Sequence, residues 1–334
     1  MIKTDICIIG AGPVGLFAVF EAGLLKMRCH LIDVLPQIGG QLSEIYPRKP
    51  IYDIPGYPTI DAQDLVDNLM EQIKPFHPTF TIGERVESID KQEDGSFNLT
   101  SNEGTQINAK VIVIAAGLGS FEPRKPVVKG LSDFEGKGVT YMVKNPEAYR
   151  DKKVVLAGGG DSALDWTIFL ADIAKEVTLV HRSDSFRGAP DSAEKVFNMA
   201  SEGKIRLLLQ SNLNSVQGNG SIQSVGILDK DKNEIFLETD TLIPLFGLSP
   251  KLGPIADWGL NVDKSAIEVN TVDYSTNIPG IFAIGDINTY PGKLKLILCG
   301  FHEGALMAQS AFKYVYPNQK LSFKYTTVNG INEF

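Results

Sequence analysis

Cysteine is scarce in this 334-residue chain. Cys7, Cys29 and Cys299 are the only three, and no two stand at Cys-x-x-Cys spacing. Disulfide frameworks, zinc modules and dithiol redox centres need paired thiols at fixed intervals, so the count argues against all three, and no metal is expected. A reducing, cytoplasmic setting fits this usage best. Positive charge is short too: 32 basic against 40 acidic side chains leave a net charge of -8. Phosphate backbones need the opposite field, which argues against nucleic acid as a partner. Long apolar runs are missing as well. The run from Ile6 to Phe20 is broken by Gly10, Gly12, Pro13 and Gly15, and Asp5 spoils a charged leader. It is too short to span a bilayer, so a soluble, unexported chain with no membrane contact is expected.

What remains is an ordinary globular mixture, 43% apolar and 22% charged, of a length that suits about two domains. Thr4 to Ile9 is a short apolar run, and Gly10-Ala11-Gly12-Pro13-Val14-Gly15 follows at G-x-G-x-x-G spacing. A helix over 14–26 and a second strand over 29–34 with Asp33 at its end complete a βαβ unit. Gly10 permits the tight turn, Gly12 admits a pyrophosphate against bare backbone, and Gly15 lets helix and strand pack closely. The helix N-terminus turns unsatisfied N–H groups toward the phosphates, and Asp33 is placed to accept from a ribose diol.

The pattern recurs in mid-chain. Lys153–Ala157 predicts a strand, Gly158-Gly159-Gly160-Asp161-Ser162-Ala163 a turn, residues 164–175 a helix and residues 177–181 a strand. No acid follows this second strand; His181, Arg182 and Arg187 stand there instead. A missing carboxylate with two arginines favours a 2′-phosphate, hence NADPH over NADH. Near the end, Ile281 to Ile284 runs into Gly285-Asp286, an acid at a strand's carboxyl end, and a helix is expected over 302–316.

These pieces predict an α/β fold of two Rossmann-like, three-layer ββα nucleotide-binding domains, one inserted in the other. Residues 1–117 and 250–334 make the first and 118–249 the second. Gly117-Leu118-Gly119 and Gly247-Leu248-Ser249-Pro250 form the expected hinge. His30 reads as a packed strand residue, His77 as a loop residue and His302 as a helix cap. Cys7 and Cys29 read as core strand residues.

Taken together, Gly10–Gly15 with Asp33, Gly39-Gly40-Gln41-Leu42, Ala116-Gly117, Gly158–Ala163, His181-Arg182 and Gly285-Asp286 resemble the thioredoxin-reductase-like flavoproteins over nearly the whole chain. Thioredoxin reductases carry a Cys-x-x-Cys just before the second glycine unit; here Tyr141-Met142-Val143-Lys144-Asn145 has no cysteine. Residues 35–42, Tyr46-Pro47, Ile51–Gly56, Gly119–Arg124 and Gly160–Trp166 resemble the cysteine-free branch, the ferredoxin–NADP⁺ reductases of this type.

That resemblance implies FAD and NADPH as cofactors, ferredoxin or flavodoxin as one-electron partner, and a homodimer whose C-terminal tail covers the flavin of the other subunit. It places Gly10, Gly12, Pro13, Gly15, Asp33, Gln41, Tyr46, the backbone of Val86, Phe121, Gly285, Asp286 and Thr327 at FAD. Tyr46 and Tyr325 would stack on the flavin, with no acid–base residue expected. Gly158, Gly160, Asp161, Ser162, Ala163, His181, Arg182 and Arg187 would meet NADPH, with Ser183 standing where relatives often have another arginine. Basic clusters at Arg48-Lys49, Arg124-Lys125, Lys129 and Lys293/Lys295 are read as surface charge open to an acidic partner. The alternatives are an NAD(P)H oxidase or quinone reductase, and a low-molecular-weight disulfide reductase. Bacillithiol disulfide reductases place a cysteine where this chain has Val14.

Overall fold

The apolar opening forms a strand, Ile2–Ile9, whose last four residues are buried on both faces. Successive side chains alternate: Ile6 and Ile8 join one core cluster, Cys7 and Ile9 another on the opposite side of the sheet. A strand buried on both faces belongs at the centre of a parallel sheet, and this one does. The computed structural model describes residues 1–119, 122–249, 251–321, 326, 330, 331, 333 and 334.

Helix α1, Pro13–Leu24, follows the first strand, with Pro13 in the first turn where a missing N–H loses nothing. Its apolar residues surround it because it lies between the sheet and other helices. Next come the strand Cys29–Asp33, the short helix α2, Gln41–Ile45, and the amphipathic helix α3, Ala62–Ile73. α3 buries Leu65, Val66, Leu69 and Ile73 against α1 and turns Asp64, Asp67 and Asn68 outward. The parallel strands run in the order Thr79–Ile82, Cys29–Asp33, Ile2–Ile9, Gln106–Ile114. The second half of Gln106–Ile114 pairs with Ile281–Ala283; its first half starts an antiparallel meander with Phe97–Ser101 and Val86–Lys91.

The chain divides into two compact units, residues 1–121 with 250–334, and residues 122–249. In the second, four parallel strands lie in the order Arg206–Leu208, Glu176–Val180, Lys153–Ala157, Thr241–Pro244. Helix α4 is Asp161–Leu170 and helix α5 Pro190–Ser201. An antiparallel meander, Asn212–Asn219, Ser221–Leu228, Glu234–Glu238, contributes Val216, Val225, Ile227 and Leu237 to a core shared with Val155, Ala157, Val180 and Leu242. Each unit therefore has three layers: helices, a parallel sheet and a meander.

Two helices differ from expectation. α4 begins three residues early, because Asp161 in its first turn complements the helix dipole and accepts from Ala189 N at 2.7 Å. It ends at Leu170, where residues 171–173 turn. The last helix, α6, is Ile297–Val315, five residues longer at its start than the periodicity predicts. The alternating Lys293–Leu298 looks strand-like, yet Gly300 must lie helically against α1. His302 is consequently not a cap; it sits in the helix body with its ring edge-on to Tyr274 at 6.5 Å. Among the described residues, no helix is long and apolar enough to cross a membrane.

Candidate functional site

Strand register brings the first site together. Ile9 pairs with Ile32 on one side and Ile114 on the other, and Ile114 pairs with Ala283. The residues that follow, Gly10, Asp33, Ala115 and Ile284-Gly285, therefore all leave the sheet at its carboxyl edge, where ligands of such sheets lie. Gly10 adopts φ +111°, and a Cβ there would sit 2.4 Å from the carbonyl oxygen of Ala115. Gly15 is equally obligatory, since a Cβ would stand 2.1 Å from the Gly10 oxygen. Gly12 faces another glycine: Gly40, at φ +59°, would carry its Cβ 3.1 Å from the Gly12 Cα. Two bare backbones thus leave an opening at the start of α1, whose first turn has no acid and no side-chain cap. A pyrophosphate suits that opening.

Asp33, 8% exposed, accepts from Ala11 N at 2.6 Å and from Leu35 N at 2.8 Å. Burial raises its pKa above the usual carboxylate value, while the two N–H groups pull the other way. The carboxylate therefore braces the glycine turn as well as ending the strand. Gly83 N and Glu84 N both donate to the Asp33 carbonyl, which brings buried Val86 close behind it. Gln41 opens α2 with its Nε2 beside Gly117, 3.3 Å from where a Cβ would be. Tyr46 ends α2, and its hydroxyl is pushed up to about 12 by burial and then by the charge of Asp286. It is a neutral ring throughout the physiological range. Ser43 Oγ and Asn288 Oδ1 are buried with no hydrogen-bond partner among the described residues, which leaves each with an unmade bond.

One group in this unit has no counterpart among the sequence expectations. Glu303 is fully buried in α6 and accepts from Gly285 N at 2.6 Å, Asn288 Nδ2 at 2.8 Å, Tyr290 OH at 2.9 Å and Lys293 Nζ. Lys293 is consequently no surface charge; its side chain is 6% exposed. A buried carboxylate is tolerated only when paired and hydrogen-bonded, which explains why the lysine turned inward. Lys295 remains exposed. The signal for Glu303 is legible afterwards: with Gly300, Gly304 and Met307 it lies on one face of α6, the buried one. Asp286 itself is raised by burial, partly offset by Lys295 and Lys293, and raised again by Glu303.

The second site repeats the register logic. Ala157 pairs with Val180 and Pro244, so Gly158, His181 and Leu245 emerge side by side. The His181 ring packs on Gly159 so closely that a Cβ there would lie 2.0 Å from Cε1. Its Nε2 lies 3.0 Å from the Ser185 carbonyl, and Arg187 N and Gly188 N donate to the Gly159 carbonyl. The loop 182–188 is thereby folded over the glycine turn. The Arg187 guanidinium is within 3.4 Å of a Cβ built on Gly160, at the N-terminus of α4. Asp161 braces the loop through Ala189; Ser162 is exposed and Ala163 buried in the same first turn. Arg182 and Arg187 are exposed, and neither has an ion-pair partner among the described residues.

Phe121, Tyr325 and Thr327 lie outside the described residues, as do Ser120 and, of the expected hinge, Pro250. Cys7 and Cys29 are buried; burial pushes the Cys7 thiol up to about 12 and raises Cys29 too, so both are inert.

The chain is similar to known proteins over its whole length. A curated ferredoxin–NADP reductase 1 of Christiangramia forsetii is 64% identical over 100% of this chain and 96% of its own. A ferredoxin–NADP reductase of Bradyrhizobium sp. is 54% identical over 98% and 95%. Among solved structures, thioredoxin reductase of Lactococcus lactis superposes with a TM-score of 0.81 at 27% identity, covering 94% of this chain and all of that one. The model of the pyridine nucleotide-disulphide oxidoreductases matches residues 4–304, taking in both glycine turns and the Gly285-Asp286 turn. On that match and those relatives, the chain belongs to the pyridine nucleotide-disulphide oxidoreductase family.

Proposed function

We propose that this chain is a ferredoxin–NADP⁺ reductase, with FAD held by residues 1–117 and 250–334 and NADPH taken up by residues 118–249. One contrast carries the reading. Each unit has a glycine turn at a helix N-terminus, but one strand ends in a buried carboxylate, Asp33, and the other in the unpaired Arg182 and Arg187. The first suits a ribose diol and the second a 2′-phosphate. No thiol pair accompanies them, and the curated relatives at 52–64% identity bear this name.

FAD, when bound, supplies the exchange between hydride and single electrons. The chain's own residues bind and orient. Gly10, Gly12, Pro13 and Gly15 present the N-terminus of α1 to the pyrophosphate; Asp33 holds the ribose and the Val86 backbone the adenine. Gln41 and Tyr46 border the ring, and Tyr46 stacks as a neutral aromatic. Gly285 and Asp286 hold the ribitol and phosphates. Gly158, Gly160, Asp161, Ser162 and Ala163 present α4 to the NADPH pyrophosphate, while His181 keeps the arginine loop closed over it. The family resemblance assigns Tyr325 and Thr327 to a tail covering the ring of a second copy in a homodimer, and Phe121 to the ring. The partner is an acidic one-electron carrier, ferredoxin or flavodoxin, met by exposed Arg48 and Lys295 in the cytoplasm.

NADPH-driven cytochrome c reduction, measured with and without added ferredoxin, tests the assignment. Ferredoxin should accelerate it at least about tenfold if the carrier is the obligatory exit for electrons. A rate indifferent to ferredoxin moves the chain to the oxidase or quinone-reductase reading.

A further inference from the structure

We infer that Glu303 is the positioning residue of the Gly285-Asp286 turn, coupling it to the glycine turn at α1, and that Lys293 is its built-in counter-charge. This rests on FAD occupying the unit of residues 1–117 and 250–334. All four donors to Glu303, namely Gly285 N, Asn288 Nδ2, Tyr290 OH and Lys293 Nζ, come from the single loop 285–293. One carboxylate thus stitches the whole loop to α6. α6 in turn is seated on α1 by glycine contacts: a Cβ at Gly300 would lie 2.3 Å from Val14 Cγ2, and one at Gly304 3.7 Å from the Ala18 Cα. Glu303 therefore stands at a fixed height above the helix whose N-terminus takes the pyrophosphate. The position of Asp286 follows from that of Glu303. The carboxylate also fixes the Asn288 amide, since only its NH₂ can face an acceptor, and that NH₂ bonds the Ala283 carbonyl at 3.0 Å as well.

Both Glu303 and Lys293 are buried, so removing either changes the charge felt at Asp286: loss of Lys293 leaves two carboxylates facing each other, and loss of Glu303 leaves Lys293 free to pull on Asp286. Glu303→Gln keeps the shape, but its NH₂ must oppose one of the donors. Apoprotein titrated with FAD and followed by flavin fluorescence should show a dissociation constant raised about tenfold or more in E303Q, with K293M moving the same way. In a D286N background E303Q should add less than about twofold, because both act through one turn. Affinity for 2′,5′-ADP should stay at the wild-type value in every variant.

A Glu303 that merely supports the fold would lower the thermal midpoint and act independently of D286N. Multiplicative effects, or an E303Q that binds FAD as the wild type does, overturn the inference. Should E303Q not fold, K293M reads the same quantity, and wild-type FAD affinity in K293M overturns it equally. If the wild-type apoprotein takes up no FAD, the proposed function falls together with it; if wild type binds and the variants match it, this inference falls alone.

Discussion

Arg187 is an exposed cation held beside a helix N-terminus, itself a positive end, and Arg182 is exposed in the same loop. A cation beside a partial positive charge gains little from the dipole, so the placement of Arg187 suits an anion. Charge-assisted bonds to a phosphate contribute about 1.5–3 kcal/mol each, less where water screens them. Replacing both with alanine should raise the Michaelis constant for NADPH on the order of tenfold to a hundredfold and leave NADH within about twofold. Steady-state kinetics with the two coenzymes checks this, and equal losses would remove the 2′-phosphate role. The residue types at this position are legible from the sequence. What is not legible is the closure of the loop on Gly159, because it depends on backbone bonds from residues 187 and 188 to a carbonyl 28 residues earlier or more. Ser183, where relatives often have arginine, takes part in this bracing: its carbonyl accepts from Gln210 N at 3.2 Å.

Helices α1 and α6 meet through small residues, and this crossing decides where the Gly285-Asp286 turn sits. Gly300→Ala forces a methyl to within 2.3 Å of Val14 Cγ2, a branched side chain with little room to yield. Overpacking of this kind costs about 1–3 kcal/mol, of which the better helix propensity of alanine returns about 1. The thermal midpoint should fall accordingly, and Val14→Ala in the same chain should restore most of the loss; two independent losses that simply add would show that the contact is not what matters. Strands such as Lys153–Ala157 are evident from the sequence because a buried strand is an unbroken apolar run. Helix starts are less evident. α6 begins at Ile297 after Leu296, which offers no side-chain cap, and lysine and leucine alternate just beforehand, so local chemistry gives no start signal. Glu303 escapes notice for a related reason: a lone acid in an apolar helix acquires meaning only when its four donors arrive from the preceding loop.

Each unit is a three-layer body with its own core, and the strands that enter and leave the second are paired with each other. Leu248 pairs with Pro123 and Ser249 with Glu122, so the ends of residues 122–249 lie side by side. A domain with adjacent termini and its own core is expected to fold alone, so residues 122–249 should unfold cooperatively and bind 2′,5′-ADP within about threefold of the full chain. Calorimetry and titration check both; a molten or non-binding fragment would show that the unit depends on the rest. The sequence by itself determined the α/β class, the two dinucleotide turns and the lack of a Cys-x-x-Cys pair. Each of these is written in short, local spacings of glycine, charge and cysteine that mean the same wherever the chain goes. Only the tertiary structure decided that Lys293 is buried, that Asp33 braces its own glycine turn, and that Glu303 ties the Gly285-Asp286 turn to α1. Those depend on strand register and helix crossing, which bring residues far apart in sequence within hydrogen-bond reach. The scarcity of cysteine keeps its meaning in three dimensions: Cys7 and Cys29 lie in the core, and only Cys299 is partly exposed.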